Sequence, residues 1–165
     1  YGREIFPNHQ NIEAKRYNMF ADIVSQKTYN YWDRIGDLIA SFFPDRIKPN
    51  QVYFSSAIEC IPAEFHSSDN YIWLNDFKTT EYNKLNSLRR QIVHYTTTDT
   101  DYRHRHLQVK DRETMELLQS ERESLPEYYK RQIKLSLDGF EKTMQLFEEF
   151  NSTLFADKEE SLPLT

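Results

Sequence analysis

The segment LNSLRRQIVHYTTTDTDYRHRH, residues 85–106, gathers side chains that could act on a phosphate group. It contains three of the five histidines of the chain, together with four arginines. Histidine titrates near neutral pH and can take or give a proton as a general base or acid. Arginine stays cationic and presents paired donors to phosphate oxygens. The segment therefore predicts chemistry in which a hydroxyl is deprotonated and the charge that develops on a phosphate is stabilised.

The charge of this segment differs in sign from that of the whole chain. The chain carries a net charge of −5, with a pI of about 5.6, which argues against a protein that coats nucleic acid non-specifically. Residues 84–110 nevertheless carry six cations and two anions, a local net charge of +4. A focused positive patch on an acidic body is compatible with local phosphate binding.

Helices must position these side chains, because the chain has few residues that break helices. It contains three glycines and six prolines in 165 residues, and its apolar residues mostly recur at spacings of three and four. This pattern predicts an all-α fold, an up-and-down bundle of four to six helices. The length fits one domain over residues 1–165, with residues 156–165 as a frayed tail.

The first predicted helix begins near Asn8 or Asn11 and runs through Phe43, where Pro44 ends it. Its predicted buried stripe comprises Phe20, Val24, Tyr31, Ile35, Leu38 and Phe42. The aromatic residues of this helix could instead form a dimer face, since aromatics are enriched at interface centres; these are Tyr29, Tyr31 and Trp32.

Two further helices are predicted before the cationic segment ends. A short helix runs from about Asn50 to Ile61, before Pro62. A cap at Ser67-Ser68-Asp69 starts the next helix, which continues to about Tyr95 or consists of two helices meeting near Thr79-Thr80. Its predicted apolar pattern comprises Ile72, Phe77, Tyr82, Leu85, Leu88 and Ile92.

The sequence TTTDTD that follows is predicted to be a loop, because Thr and Asp side chains compete with helical hydrogen bonds. A charged helix is predicted for residues 110–124, and Pro126 suits the first turn of a final helix that ends near Phe155. The final helix has a predicted core stripe of Ile133, Leu137, Phe140, Met144, Phe147 and Leu154.

The hexapeptide RRQIVH places an arginine and a histidine late in the helix that precedes TTTDTD. Arg90 and His94 are four residues apart and share a face, whereas Arg89 and His94 lie roughly 140° apart around the helix. This segment resembles the HEPN superfamily of small helical bundles, whose hallmark is an arginine followed after four to six residues by a histidine. The residue after the arginine is often a polar uncharged type in that family, whereas Arg90 occupies this position here.

The resemblance implies a metal-independent endoribonuclease that acts as a homodimer on single-stranded RNA and needs no cofactor. Its catalytic residues would be Arg89 and His94. The residues that would bind the RNA are Arg90, Tyr95, Tyr102, Arg103 and Arg105. In this role the arginines guide the RNA backbone, and a tyrosine stacks on an unpaired base.

The resemblance also suggests a toxin or defence component with an antitoxin protein as a possible partner. In some family members a partner nucleotidyltransferase antitoxin modifies a tyrosine two residues after the motif histidine. Here Thr96 occupies that position and Tyr95 follows His94 directly, so the modification does not carry over in the same form.

Two other functions fit the same residues. In one, a non-catalytic helical module uses the basic patch to bind RNA, a nucleotide or a protein partner, and the substitution at Arg90 favours it. In the other, a structural dimerisation module pairs its cations with Asp99, Asp101 and Asp111, which would neutralise the patch. Arg89 and His94 would then be a surface arginine and a histidine at a helix C-terminus.

The remaining sequence features exclude several kinds of protein. His94, His104 and His106 lack a spaced cysteine or carboxylate partner, which argues against zinc. Cys60 is the single cysteine, beside Ile58 and Ile61, and is predicted to be an inert buried thiol. One cysteine, no long apolar run and no signal peptide favour a cytoplasmic protein without membrane contact.

Overall fold

The structure is a computed structural model that describes residues 12–94 and 97–154. Helices and helical turns account for its regular structure, and no strand occurs in these two ranges, which confirms the all-α prediction. The helices are α1 (Ile12–Ser41), α2 (Phe54–Cys60), α3 (Asp69–Phe77), α4 (Asn83–His94), α5 (Thr98–Gln108) and α6 (Arg112–Leu154). Short 3-10 turns lie at Pro49–Gln51 and Ala63–Phe65.

The chain divides into two compact units. Of the described residues, unit 1 holds 12–29, 84–94 and 97–133, and unit 2 holds 30–83 and 134–154. The predicted site residues that the structure describes, Arg89, Arg90, His94, Tyr102, Arg103 and Arg105, belong to unit 1. The single-domain assignment stays a prediction, and residues 156–165 lie outside the described ranges.

The buried face of α1 is one residue away from most of the predicted stripe, although Ile35 is buried as predicted. Phe20 and Leu38 are about half exposed, at 57% and 46%, whereas the neighbouring Ala21 and Ile39 are buried. Eight of the buried residues of α1 recur at alternating spacings of three and four: Ala14, Asn18, Ala21, Ser25, Thr28, Trp32, Ile35 and Ile39. Five of these eight residues are small or polar, so large apolar residues do not mark most of the stripe.

The same one-residue error occurs on α6. Four residues of the predicted core stripe are exposed: Ile133, Leu137, Phe140 and Met144. Only Phe147 of that stripe is buried, and the side chain of Leu154 is not described. The buried face instead includes Leu118, Tyr129, Gln132, Gly139, Thr143, Leu146 and Phe150. Thr143 is accommodated there because its hydroxyl donates to the Gly139 carbonyl at 2.7 Å.

Pro126 lies inside α6, not at the start of a helix as predicted. Proline has no N–H, so the carbonyl four residues earlier, that of Arg122, loses its helical partner. The Tyr17 hydroxyl of α1 donates to this carbonyl at 2.7 Å. A hydrogen bond from another helix therefore replaces the missing one, and residues 112–154 form one helix where the sequence predicted two.

The helix over residues 69–94 is continuous but changes its winding. Ser68 caps it as predicted, since its side chain accepts from the Asn70 N–H. A π-helical turn at Lys78–Tyr82 separates α3 from α4, at the place where two helices were expected to meet. The extra residue of a π turn shifts the face that is buried, so Phe77 and Tyr82, five apart, are both buried. Ile72, predicted to be apolar core, is 52% exposed.

Aromatic side chains form the core of unit 2. Trp32 is fully buried, and its ring stacks on Phe77 at a centroid distance of 4.0 Å and lies 4.9 Å from Phe54. Trp32 and Tyr29 are thus buried inside the chain, each in its own unit, so they do not form an exposed dimer face. The predicted helix from Asn50 is shorter than expected, because α2 begins only at Phe54.

Gly139 lets α6 approach this aromatic core. A Cβ atom at this position would overlap the Trp32 ring and lie 3.1 Å from Trp73. Cys60 is buried in the same unit, with its thiol donating to the Ala57 carbonyl at 3.1 Å. Burial raises the pKa of the Cys60 thiol, as expected for an unreactive cysteine.

In the ranges that the structure describes, no helix is both long enough and apolar enough to cross a membrane.

Candidate functional site

Helix α4 carries the Arg-x4-His motif at its C-terminal end. Leu85 and Ile92 are buried and pack one face of the helix against the rest of unit 1. Arg90 and His94 are exposed on the opposite side, and Arg89 is half-buried. The sequence prediction of a late helical position for the motif therefore agrees with the structure.

The aromatic ring of Tyr29 holds Arg89. The guanidinium carbon of Arg89 lies 4.9 Å from the centre of the Tyr29 ring, a cation–π geometry. Tyr29 is only 6% exposed, so its ring is a fixed platform on α1. This contact restricts the Arg89 side chain while the charge remains near the surface.

His94 is the last residue of α4 and is exposed. A cationic imidazole at this position interacts favourably with the negative end of the helix. No hydrogen bond joins Arg89 to His94 in the described part of the chain. The two side chains leave the helix about 140° apart, as the sequence indicated, so they diverge from each other.

The predicted loop after His94 is wrong from Thr98 onward, because residues 98–108 form α5. Thr97 caps this helix by accepting from the Thr100 N–H at 3.3 Å. Asp22 of α1 accepts from both the N–H and the hydroxyl of Thr98. An unpaired N–H group at a helix start is thus satisfied from a neighbouring helix, and local propensity could not reveal that partner.

The two arginines of α5 are paired with carboxylates. Arg103 contacts Asp99 at 2.9 Å, and Arg105 contacts Glu121 at 2.7 Å and Asp101 at 3.9 Å. Acid-to-arginine pairs four residues apart stabilise a helix, which helps to explain why this segment is helical. The predicted pairing of cations with Asp99 and Asp101 is present.

Asp111 was expected to join these ion pairs but has a different role. Its carboxylate accepts from the N–H and the hydroxyl of Thr114, at 2.8 and 2.9 Å. These hydrogen bonds lower the pKa of Asp111. Asp111 therefore caps the start of α6.

Arg122 lies at the centre of a polar cluster that the sequence did not reveal. Its guanidinium carbon lies 4.8 Å from the centre of the Tyr102 ring and 5.3 Å from that of Tyr17. Its Nη2 is 3.4 Å from the Asn18 side-chain oxygen, and Asn18 donates to Asp99 at 2.6 Å. Since Arg122 covers part of the Tyr102 ring, a base stacked on Tyr102 would need the opposite face. The one feature of the sequence that could have indicated this cluster is Asn18, a polar residue in the buried stripe of α1.

Tyr95, predicted to bind RNA, and Thr96 lie outside the described residues. The described ranges also contain no group of three or more His, Cys, Asp or Glu side chains that could hold a metal ion.

Comparison with protein families gives one match. The family model HEPN_Cthe2314-like HEPN matches residues 3–151. The chain belongs to this HEPN family. The HEPN match covers α1 to α5 and nearly all of α6, so it includes the motif helix and both units. No curated protein and no solved structure matches the chain.

Proposed function

We propose that this HEPN protein is a metal-independent endoribonuclease that cleaves single-stranded RNA through attack by the 2′-hydroxyl. The observation that carries the proposal is the Arg-x4-His motif at the end of α4 in a HEPN chain, with His94 exposed and Arg89 held on Tyr29. These are the residue types that the reaction requires; His94 is exposed and Arg89 is half-buried.

In the proposed reaction, an imidazole takes the proton of the 2′-hydroxyl, and the oxygen then attacks the adjacent phosphorus. The bond to the 5′-oxygen breaks as a cyclic phosphate forms, and a proton is delivered to the leaving oxygen. Arg89 stabilises the negative charge on the phosphate oxygens in the transition state. Because the Tyr29 ring restricts the guanidinium, less side-chain freedom is lost when Arg89 binds the phosphate.

A homodimer is part of the proposal because Arg89 and His94 of one copy leave α4 in diverging directions. A second motif helix facing the first would enclose a phosphodiester between the two copies. One His94 would then act as base and the partner copy's histidine as acid.

Further cations of unit 1 are proposed to guide the RNA backbone. Arg90 is exposed and forms no ion pair with a described residue. Arg103 and Arg105 are paired with carboxylates, but their pairs are partly exposed, and such pairs are worth about 0–1 kcal/mol. Exchange of a carboxylate for a phosphate oxygen therefore costs little. Tyr95 and Tyr102 remain the proposed stacking residues.

The test is cleavage of end-labelled single-stranded RNA in the presence of EDTA. We expect cleavage by the unmodified chain and a loss of about 10²–10⁴-fold in His94→Ala, the usual contribution of a general acid or base. Arg89→Ala should lose activity as well. His104→Ala and Arg34→Ala are matched controls, since both residues are exposed and lie outside the motif. Equal cleavage by the motif variants and the controls would contradict the assignment.

The second candidate is a non-catalytic module that binds RNA, a nucleotide or a protein partner. The carboxylates beside Arg103 and Arg105 favour it, because they reduce the positive charge available to a long RNA. RNA binding that weakens with salt, without any cleavage, would select this candidate. A toxin or defence role with an antitoxin partner belongs to the first candidate, and growth arrest on expression, relieved by His94→Ala, would support it.

A further inference from the structure

A cavity of about 170 Å³ lies within unit 1, between α4, α5 and α6. Its apolar lining comes from Leu88 and Ile92 of α4 and from Leu118 and Leu125 of α6. Tyr102 and Tyr129 add aromatic surface. The polar lining comprises Gln91, Thr98, Asp101, Arg105, Glu121 and Arg122. An apolar slot with a few convergent polar groups is the usual form of a small-molecule site.

We infer that this cavity binds a pyrimidine base of the RNA, with cytosine preferred, beside the proposed cleavage site. The role in cleavage rests on the proposed function, whereas the binding of the base can be measured without it.

The volume of the cavity favours a single ring. A cavity of about 150 Å³ holds one benzene molecule in another protein. The cavity here, about 170 Å³, matches a six-membered heterocycle in size, and a fused purine would extend out of it. Its aromatic and aliphatic lining suits the flat apolar faces of a base.

The polar groups of the lining favour cytosine over uracil. The pairing edge of cytosine presents an amino donor beside two acceptors, a ring nitrogen and a carbonyl oxygen. Asp101 can accept from the amino group, as carboxylates do in base recognition. Arg105 contacts Asp101 at 3.9 Å and Glu121 at 2.7 Å in partly exposed ion pairs, and with the base bound it donates to the two acceptors in place of Glu121. Uracil carries a carbonyl in place of the amino group, and this oxygen would face the Asp101 carboxylate unfavourably.

The position of the cavity connects it to the motif. Gln91 lines the cavity and lies three residues before His94 on α4. Residues three apart are neighbours on a helix surface, about 5–6 Å apart at their Cβ atoms. A base in the cavity would therefore hold its own phosphate near His94, and cleavage would follow pyrimidines.

Binding of single nucleotides to the intact protein tests this site without any need for cleavage. Calorimetric titration with CMP, UMP, AMP and GMP should give the tightest binding for CMP and weaker binding for the purine nucleotides. Arg105→Gln should weaken CMP binding at least about tenfold, the equivalent of one charged hydrogen bond. Leu88→Phe should block the cavity, and Arg34→Gln, in unit 2, should leave CMP binding unchanged.

Different results would overturn the inference and the proposed function. Equal affinity for all four nucleotides, or CMP binding unaffected by Arg105→Gln, overturns the pyrimidine site even if RNA is cleaved. CMP binding that depends on Arg105, in a protein that does not cleave RNA, supports the site and removes the ribonuclease. If Leu88→Phe fails to fold, Arg105→Gln still tests the site, because it changes only an exposed ion pair. Circular dichroism then checks that the Arg105→Gln variant is folded.

Discussion

Replacement of Tyr17 by phenylalanine should destabilise the protein, because a carbonyl on another helix loses its hydrogen-bond donor. The Tyr17 hydroxyl donates to the Arg122 carbonyl, whose helical partner is missing because residue 126 is proline. Burial raises the pKa of the Tyr17 hydroxyl, so it stays protonated and able to donate at neutral pH. Tyr17→Phe keeps the ring that faces Arg122 and removes only this hydrogen bond.

The magnitude follows from leaving one partly buried carbonyl without a partner. Such a loss costs about 1–3 kcal/mol of unfolding free energy. In a chain of 165 residues, each kcal/mol lowers the Tm by about 2–4 °C. Urea unfolding followed by circular dichroism measures this change, and its m-value shows whether the unfolding remains two-state.

Measuring Tyr17→Phe in a Pro126→Ala variant distinguishes loss of the hydrogen bond from a general loss of packing. Pro126→Ala restores an N–H that can donate to the Arg122 carbonyl, so Tyr17→Phe should cost less in that background. The double-mutant cycle should therefore give a coupling energy of about 1 kcal/mol or more. An equal cost of Tyr17→Phe in both backgrounds would refute the view that Tyr17 compensates for the proline.

Three further outcomes can be measured with single variants. Gly139→Ala should lower the unfolding free energy by about 1–3 kcal/mol, because its methyl group would overlap Trp32; a stability equal to wild type in urea would contradict this. Cys60 should react slowly with iodoacetamide near neutral pH and quickly in urea, since burial raises its thiol pKa; fast native reaction would contradict burial. Tyr29→Leu should lower RNA cleavage several-fold, and Tyr29→Phe, which keeps the ring, should restore most of it.

The sequence predicted the presence and type of the helices better than their faces. Stretches in which apolar residues recur at spacings of three and four form α1, α3, α4 and α6. The sequence also identified Ser68 as a helix cap. The buried faces of α1 and α6 were each missed by one residue. In α6 the reason is that Gly139 allows the close approach of Trp32 and that the buried Thr143 bonds within its own helix, so small residues, not large apolar ones, mark the contact.

Other errors came from partners far away in the sequence. Within the predicted loop, α5 begins at Thr98, and Asp22, 76 residues earlier, accepts from the N–H of this residue. Pro126 does not start a new helix as predicted but lies inside α6, where Tyr17, 105 residues before Arg122, supplies the missing donor. Local rules on capping and proline cannot include such contacts.

The candidate site was predicted in part. The motif spacing located Arg89 and His94 at the end of a helix, and the structure has them there. The sequence did not predict that Tyr29 holds Arg89, or that Arg122 lies against Tyr102, because both contacts join separate helices. The ion pairs of Arg103 and Arg105 follow a spacing of four and were visible as an alternative.

The most direct test of the central claim is mass spectrometry of the RNA products formed in EDTA. If Arg89 and His94 promote attack by the 2′-hydroxyl, the products carry a 2′,3′-cyclic phosphate and a 5′-hydroxyl, and His94→Ala removes them whereas His104→Ala does not. Products that end in a 5′-phosphate, or a cyclic phosphate formed in unchanged yield by His94→Ala, would contradict the account.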